Sequence, residues 1–252
     1  MKKTIISCVL FLTAVTAFSQ TPMKTAAEAK LSASDLAVKI ADRILATTTY
    51  EFKNTKTGKT YKSVKNLPLD MNVKVACKYN NWHYTNGVTH IALMELADKT
   101  GAKKYDDYVL KNMNFVFNEG NLDFFKKQYD QAMKNEGWYG VRKLSWHMIF
   151  RGKRLDDNGP MGASLIDLQM KHPNNSFLNY INETAEHLNY GEPRLADGTI
   201  ARIWPHENTI WADDAFMAIS FLARMAKMTG DMSYINDAAN QVIKYHKYLW
   251  CP

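Results

Sequence analysis

The chain has 252 residues, 46% of them hydrophobic and 12% aromatic, which suits one or two globular domains. Three cysteines do not make a disulfide scaffold. The net charge of +7 comes without a Lys/Arg-dense stripe interleaved with aromatics, which argues against nucleic acid as a partner.

The first twenty residues read as an export signal. Lys2 and Lys3 precede an apolar run from Ile5 to Phe18 that is too short to span a bilayer, and Ala14, Ala17 and Ser19 supply small residues near a cleavage site. The mature chain is expected to be exported, periplasmic or secreted, with no membrane attachment after cleavage. Two of the 32 Lys and Arg lie in this segment, so the remainder stands at 30 against 25 acids, a charge of +5. A mildly basic surface suits an anionic ligand. Residues 21–33 are polar and alanine-rich and read as a mobile leader.

Helical periodicity begins near Ser34, with Leu36, Ile40, Ile44 and Leu45 on one face and Ser34 or Asp35 as cap. Residues 53–75 read as loop and short extended pieces. A helix is predicted from about Asn86 to Thr100-Gly101, and another from about Tyr105 through Val116. The same phrase returns between Thr209 and Thr229-Gly230, followed by a helix from about Tyr234 through Ile243. A looser copy runs from about Met161 to Met170, breaks at His172-Pro173, and resumes from about Phe177 to Leu188.

This is an internal repeat of helical hairpins. The first helix of each unit is apolar around most of its circumference and must be buried on all sides; the second is amphipathic. First helices therefore form an inner layer and second helices an outer one. The predicted fold class is all-α, an (α/α)6 toroid type, here about three hairpins plus a leading helix over residues 34–252. A last inner helix without a neighbour would expose a large apolar flank, so the chain is expected to be truncated before its ring closes.

Two acidic pairs open inner helices, Asp156-Asp157 and Asp213-Asp214. Two carboxylates brought close raise one pKa by repulsion, which divides them into an ionised and a protonated group as glycosidases require. Alternatively, an acid in the first turn simply caps backbone N–H groups or meets the helix dipole. Neighbours on a helix point about 100° apart, so one member of each pair faces the cavity.

The segment Trp211-Ala212-Asp213-Asp214-Ala215-Phe216-Met217, with Phe221-Leu222-Ala223 after it, resembles the catalytic-aspartate segment of glycoside hydrolase families 88 and 105, the unsaturated glucuronyl and rhamnogalacturonyl hydrolases. Leu155-Asp156-Asp157 resembles their second acidic site, and Trp82-His83-Tyr84-Thr85-Asn86-Gly87-Val88 resembles the aromatic-rich start of their first inner helix. The resemblance runs from about residue 35 to the end. It implies a metal-free and cofactor-free hydrolysis of an oligosaccharide carrying a 4,5-unsaturated uronic acid left by a lyase. Asp213 would be the acid/base. Asp156 would hold the sugar or tune Asp213, with Asp157 as its rival. Tyr84 and Trp82 would stack on the sugar, beside Trp211.

Arg202 and His206 lie in the loop before the Trp211 helix, where a cation can meet a substrate carboxylate; a solvated loop charge is the alternative. His83, His90, His147 and His187 lack metal-ligand spacing and read as structural, and no Gly-rich phosphate loop or nucleophile elbow is present. Other toroid sugar enzymes, an epimerase or a lyase, and a sugar-binding half-toroid are the competing readings. A chain lacking the second half of the ring is expected to be weakly active or inactive alone.

Overall fold

A computed structural model describes residues 32–152 and 154–251. The signal segment and residues 21–31 of the leader lie outside them. The chain divides into two compact units, Met1–Asp42 and Arg43–Pro252. Helix α1 (Ala33–Thr47) starts in the first unit. Its cap is Ser32, not Ser34 or Asp35: the Asp35 N–H donates to Ser32 Oγ, and the Ser32 N–H donates back to Asp35 Oδ2. Asp35 is thus the reciprocal partner of a capping box.

The second unit begins with a three-stranded antiparallel sheet. Strand β1 (Phe52–Asn54) lies between β2 (Thr60–Tyr61) and β3 (Val73–Val75), with Phe52 opposite both Tyr61 and Val75. Seven α-helices follow among the described residues. They are α2 (Tyr84–Thr100), α3 (Lys104–Phe117), α4 (Glu119–Val141), α5 (Leu155–Lys171), α6 (Asn175–Glu186), α7 (Ala212–Thr229) and α8 (Met232–Leu249).

The predicted hairpins are present as α2/α3, α5/α6 and α7/α8. Their shared Thr-Gly phrase is a shared cap. Gly101 and Gly230 both take left-handed φ, 69° and 76°, and their N–H groups close on Ala97 and Ala226 carbonyls. Each preceding threonine hydroxyl donates to the carbonyl four residues back.

Helix α5 packs between α2 and α7 in an inner layer, and α3, α6 and α8 each pack on the inner helix of their own hairpin. The inner helices meet backbone to backbone. A Cβ on Gly87 would lie 2.4 Å from the Pro160 carbonyl carbon, and one on Gly159 would lie 2.4 Å from the Met217 oxygen. Nearly all of α5 from Leu155 to Leu168 is buried, and each Leu or Ile there contributes roughly 2 kcal/mol. On the flanks, Val88 of α2 and Phe216 of α7 remain exposed.

Two further features differ from the sequence expectation. Helix α5 begins at Leu155 rather than about Met161, so Pro160 lies inside it and both acids occupy its first turn. Helix α4 has no counterpart in the predicted set. Its Phe124 and Phe125 pack with Phe52, Phe115 and Trp146 in an aromatic core. Gln128 Nε2 donates to the Asp70 and Val73 carbonyls, which ties α4 to β3. A non-helical Gly137 kinks it.

Candidate active site

The inner-helix contacts set the N-termini of α5 and α7 side by side. The loop between α6 and α7 crosses in front of them. It is pinned to α8 by polar contacts: Arg194 makes a paired contact with Asp237, Gln241 Oε1 accepts from the Ile200 N–H, and the Tyr245 hydroxyl donates to the Ile200 carbonyl. Beyond Ile200, the Arg202 N–H donates to the Thr209 carbonyl. These bonds deliver the Arg202 side chain to the helix ends.

Arg202 is the hub. Its Nε and Nη2 donate to the two Asp214 oxygens, both at 2.7 Å. Nη2 also donates to Asp156 Oδ1 at 3.1 Å and lies 3.7 Å from Asp213 Oδ2. The guanidinium sits 4.1 Å from the centroid of the Trp211 ring, the residue that precedes α7. The side chain of Asp214 is 2% exposed and that of Asp213 is 55% exposed. Burial pushes the Asp214 carboxyl up and Arg202 opposes that rise, while the Asp214 carboxylate holds the guanidinium above its ordinary range. Asp214 is therefore committed to Arg202, and Asp213 presents a solvent-facing carboxylate beside it.

A shallow pocket opens here, lined by Arg154, Asp156, Glu192, Arg202, Trp204 and Asp214 among others. Of the residues singled out in the sequence, Asp156, Arg202, Trp211 and Asp213 come together. The other four are placed elsewhere. Asp157 is buried and paired through both oxygens with Arg151. Burial raises its carboxyl and Arg151 opposes this. Trp82 is fully buried against Tyr180, and its indole N–H donates to the Asp157 carbonyl, so it is a core residue. Tyr84 begins α2, partly exposed, with its ring 4.5 Å from that of His83. His206 is exposed at the loop tip, where its carbonyl accepts from the Thr209 hydroxyl. Among the described residues, no group of three or more His, Cys, Asp or Glu is gathered as for a metal ion.

The profile of Glycosyl Hydrolase Family 88 matches residues 55–251. The chain belongs to this family. Two solved structures share its fold. One is a possible member of GH105 family from Klebsiella pneumoniae subsp. pneumoniae MGH 78578, with a TM-score of 0.52 at 13% identity over 89% of this chain and 50% of the other. The second is a possible member of the same family from Salmonella enterica subsp. enterica serovar Paratyphi A str. ATCC 9150, with a TM-score of 0.51 at 14% identity over 86% and 49%. The chain thus spans about half the length of these structures. Comparison with curated proteins gave no significant match. The all-α toroid class follows from the helix layers and these neighbours together.

Asp214 was visible as half of an acidic pair, but sequence could not say which half turns inward. Glu192, Arg154 and Trp204 gave no signal. Glu192 reaches the pocket through a π-helical turn, His187–Gly191, that cannot be read from periodicity. Burial, then the Asp214 charge, pushes its carboxyl up to about 7.

Proposed function

We propose that the site removes a 4,5-unsaturated uronic acid from lyase-generated, pectin-type oligosaccharides. The observation that carries this reading is the convergence of Asp156 and Asp213 on one nitrogen of Arg202. It supports a two-carboxylate hydrolytic site in which one acid is hydrogen-bonded to the guanidinium and the other faces solvent beside it.

In this reading Asp213, the exposed member, protonates C4 of the C4=C5 enol ether. The positive charge that develops at C5 and the ring oxygen is met by the nearby carboxylates. Asp213, now ionised, takes a proton from the water that adds at C5. The hemiketal formed opens and releases the neighbouring sugar. Asp156, fixed through Arg202, holds a sugar hydroxyl beside Asp213. Trp211 supports the guanidinium from beneath.

The enol ether conjugated to its carboxylate absorbs in the ultraviolet, and hydration removes that absorbance. With an unsaturated galacturonyl-rhamnose disaccharide, turnover is expected to be read as loss of that absorbance. Asp213→Asn should lower the rate by at least about 100-fold while leaving stability within roughly 0.5 kcal/mol, as for an exposed surface group. Equal rates in the variant and the wild type would remove Asp213 from the mechanism.

A further inference from the structure

The turn that follows α6 is built around one contact. His187–Gly191 forms a π-helical turn that carries the chain back on itself, and the Glu192 N–H donates to the His187 carbonyl at 2.8 Å. Glu192 Oε2 then meets His187 Nε2 at 2.8 Å, with both side chains largely buried. A Cβ on Gly191 would lie 2.6 Å from His187 Nδ1, so the glycine leaves space for the imidazole. Single π turns inserted into helices are frequent at functional sites. Here the turn delivers a buried carboxyl to the wall of the pocket that also holds Asp156, Asp214, Arg154 and Arg202.

The charge balance of that wall decides what it can receive. Among the groups lining it, Asp156 and Asp214 are matched by Arg154 and Arg202, and the exposed Asp213 stands beside the wall, 3.7 Å from Arg202. A sugar carboxylate meeting these four lining groups finds no net repulsion. One more negative charge at Glu192 would leave the wall net anionic and oppose it. We propose that the Glu192–His187 pair holds a single proton that allows the pocket to accept an anionic sugar, which makes Glu192 a specificity-determining residue for uronates. This rests on the reading of the pocket as a uronate site.

The groups that face Glu192 are Asp156 on α5, Asp214 on α7, Arg194 and Arg202 in the loop, His187 in the π turn and Tyr245 on α8. The acids favour retention of the proton and the arginines favour its loss. The proton sits on the Glu192 carboxyl, which burial raises, and His187 Nε2 faces it at 2.8 Å. Losing it adds one negative charge to the wall. By linkage, an anion that binds must also strengthen the pair's hold on the proton.

Binding of galacturonate and of neutral galactose to the whole chain, followed by NMR titration between about pH 5.5 and about pH 8.5, tests this. Wild-type affinity for galacturonate should fall roughly tenfold across that range, an effect expected of one added like charge, while that of Glu192→Gln stays within about twofold. Galactose binding should not change with pH in either protein. Calorimetry of the wild type near neutral pH, in two buffers of different ionisation enthalpy, should show proton uptake on binding galacturonate. The same pH loss in Glu192→Gln, no proton uptake, or no galacturonate binding at either pH would overturn the proposal. If galacturonate binds with this pH dependence but the unsaturated disaccharide is never hydrated, the hydrolase reading fails and the proton-holding pair stands.

Discussion

Arg202 makes paired hydrogen bonds to a buried carboxylate, bonds a second one and stacks on an indole, so its removal has consequences beyond lost charge. In Arg202→Ala, Asp214 would remain buried without its guanidinium. Breaking a buried pair from one side costs about 3 kcal/mol or more, and chemical unfolding should register that loss. Adding Asp214→Asn should recover part of it, because an amide does not need the counter-charge. Arg202→Lys should not restore the site, since an ammonium cannot bond both Asp214 oxygens in a plane and lie flat on Trp211. Wild-type stability in Arg202→Ala would show that the pair contributes nothing. The sequence placed this arginine in the right loop beside the right helix. It could not show that hydrogen bonds to Asp237, Gln241 and Tyr245 fold the loop inward, because those partners lie 41 to 45 residues away. Nor could it show that Asp157 turns toward Arg151: a pair of acids at a helix start looks the same whichever one faces a cavity.

The inner helices depend on contacts that a single methyl group would disturb. Gly159 of α5 faces the Met217 carbonyl of α7 so closely that an added Cβ would lie 2.4 Å from that oxygen. The obstacle is backbone, so no rotamer change relieves it and α5 must move away from α7. Gly159→Ala should cost roughly 1–3 kcal/mol, seen as a fall in Tm of about 2–4 °C per kcal/mol. Activity should fall as well, because the same movement draws Asp156 from Arg202. An unchanged Tm would mean that the inner layer is looser than this packing implies. The hairpins themselves were legible from their apolar faces and Thr-Gly caps. Helix α4 was not, since glycines interrupt it and its buried Gln128 reads as polar surface. Burial of Gln128 makes sense only against the Asp70 and Val73 carbonyls of a strand region more than fifty residues earlier. Pro160 lies inside α5, where a proline ordinarily breaks a helix. It cannot donate to the Asp156 carbonyl four residues back, yet the turn before it stays helical where Arg202 bonds the Asp156 side chain.

At the scale of the whole molecule, two buried groups with opposite proton preferences shape stability against pH. His90 is fully buried between α2 and α3 beside Asn112, and burial lowers it from its ordinary 6.5 to about 4. The unfolded chain therefore binds a proton at this site before the folded chain does. Stability from His90 is lost as pH falls from about 6.5 to about 4, at roughly 1.4 kcal/mol per pH unit. Glu192 moves the other way, from 4.5 up to about 7. Between those values the folded chain holds the extra proton, so its contribution is present at low pH and is lost as pH rises toward 7. Over the shared window, about 4.5 to 6.5, the two slopes oppose each other. Relative to wild type, Glu192→Gln should lose stability steadily as pH drops through that window, because the amide cannot take up the proton. His90→Gln should show the reverse trend and gain relative to wild type as pH drops. Urea unfolding of the three proteins at several pH values measures both differences. Parallel curves for Glu192→Gln and wild type would show that Glu192 carries the same proton affinity folded and unfolded, and the charge argument for the pocket wall would fail with it.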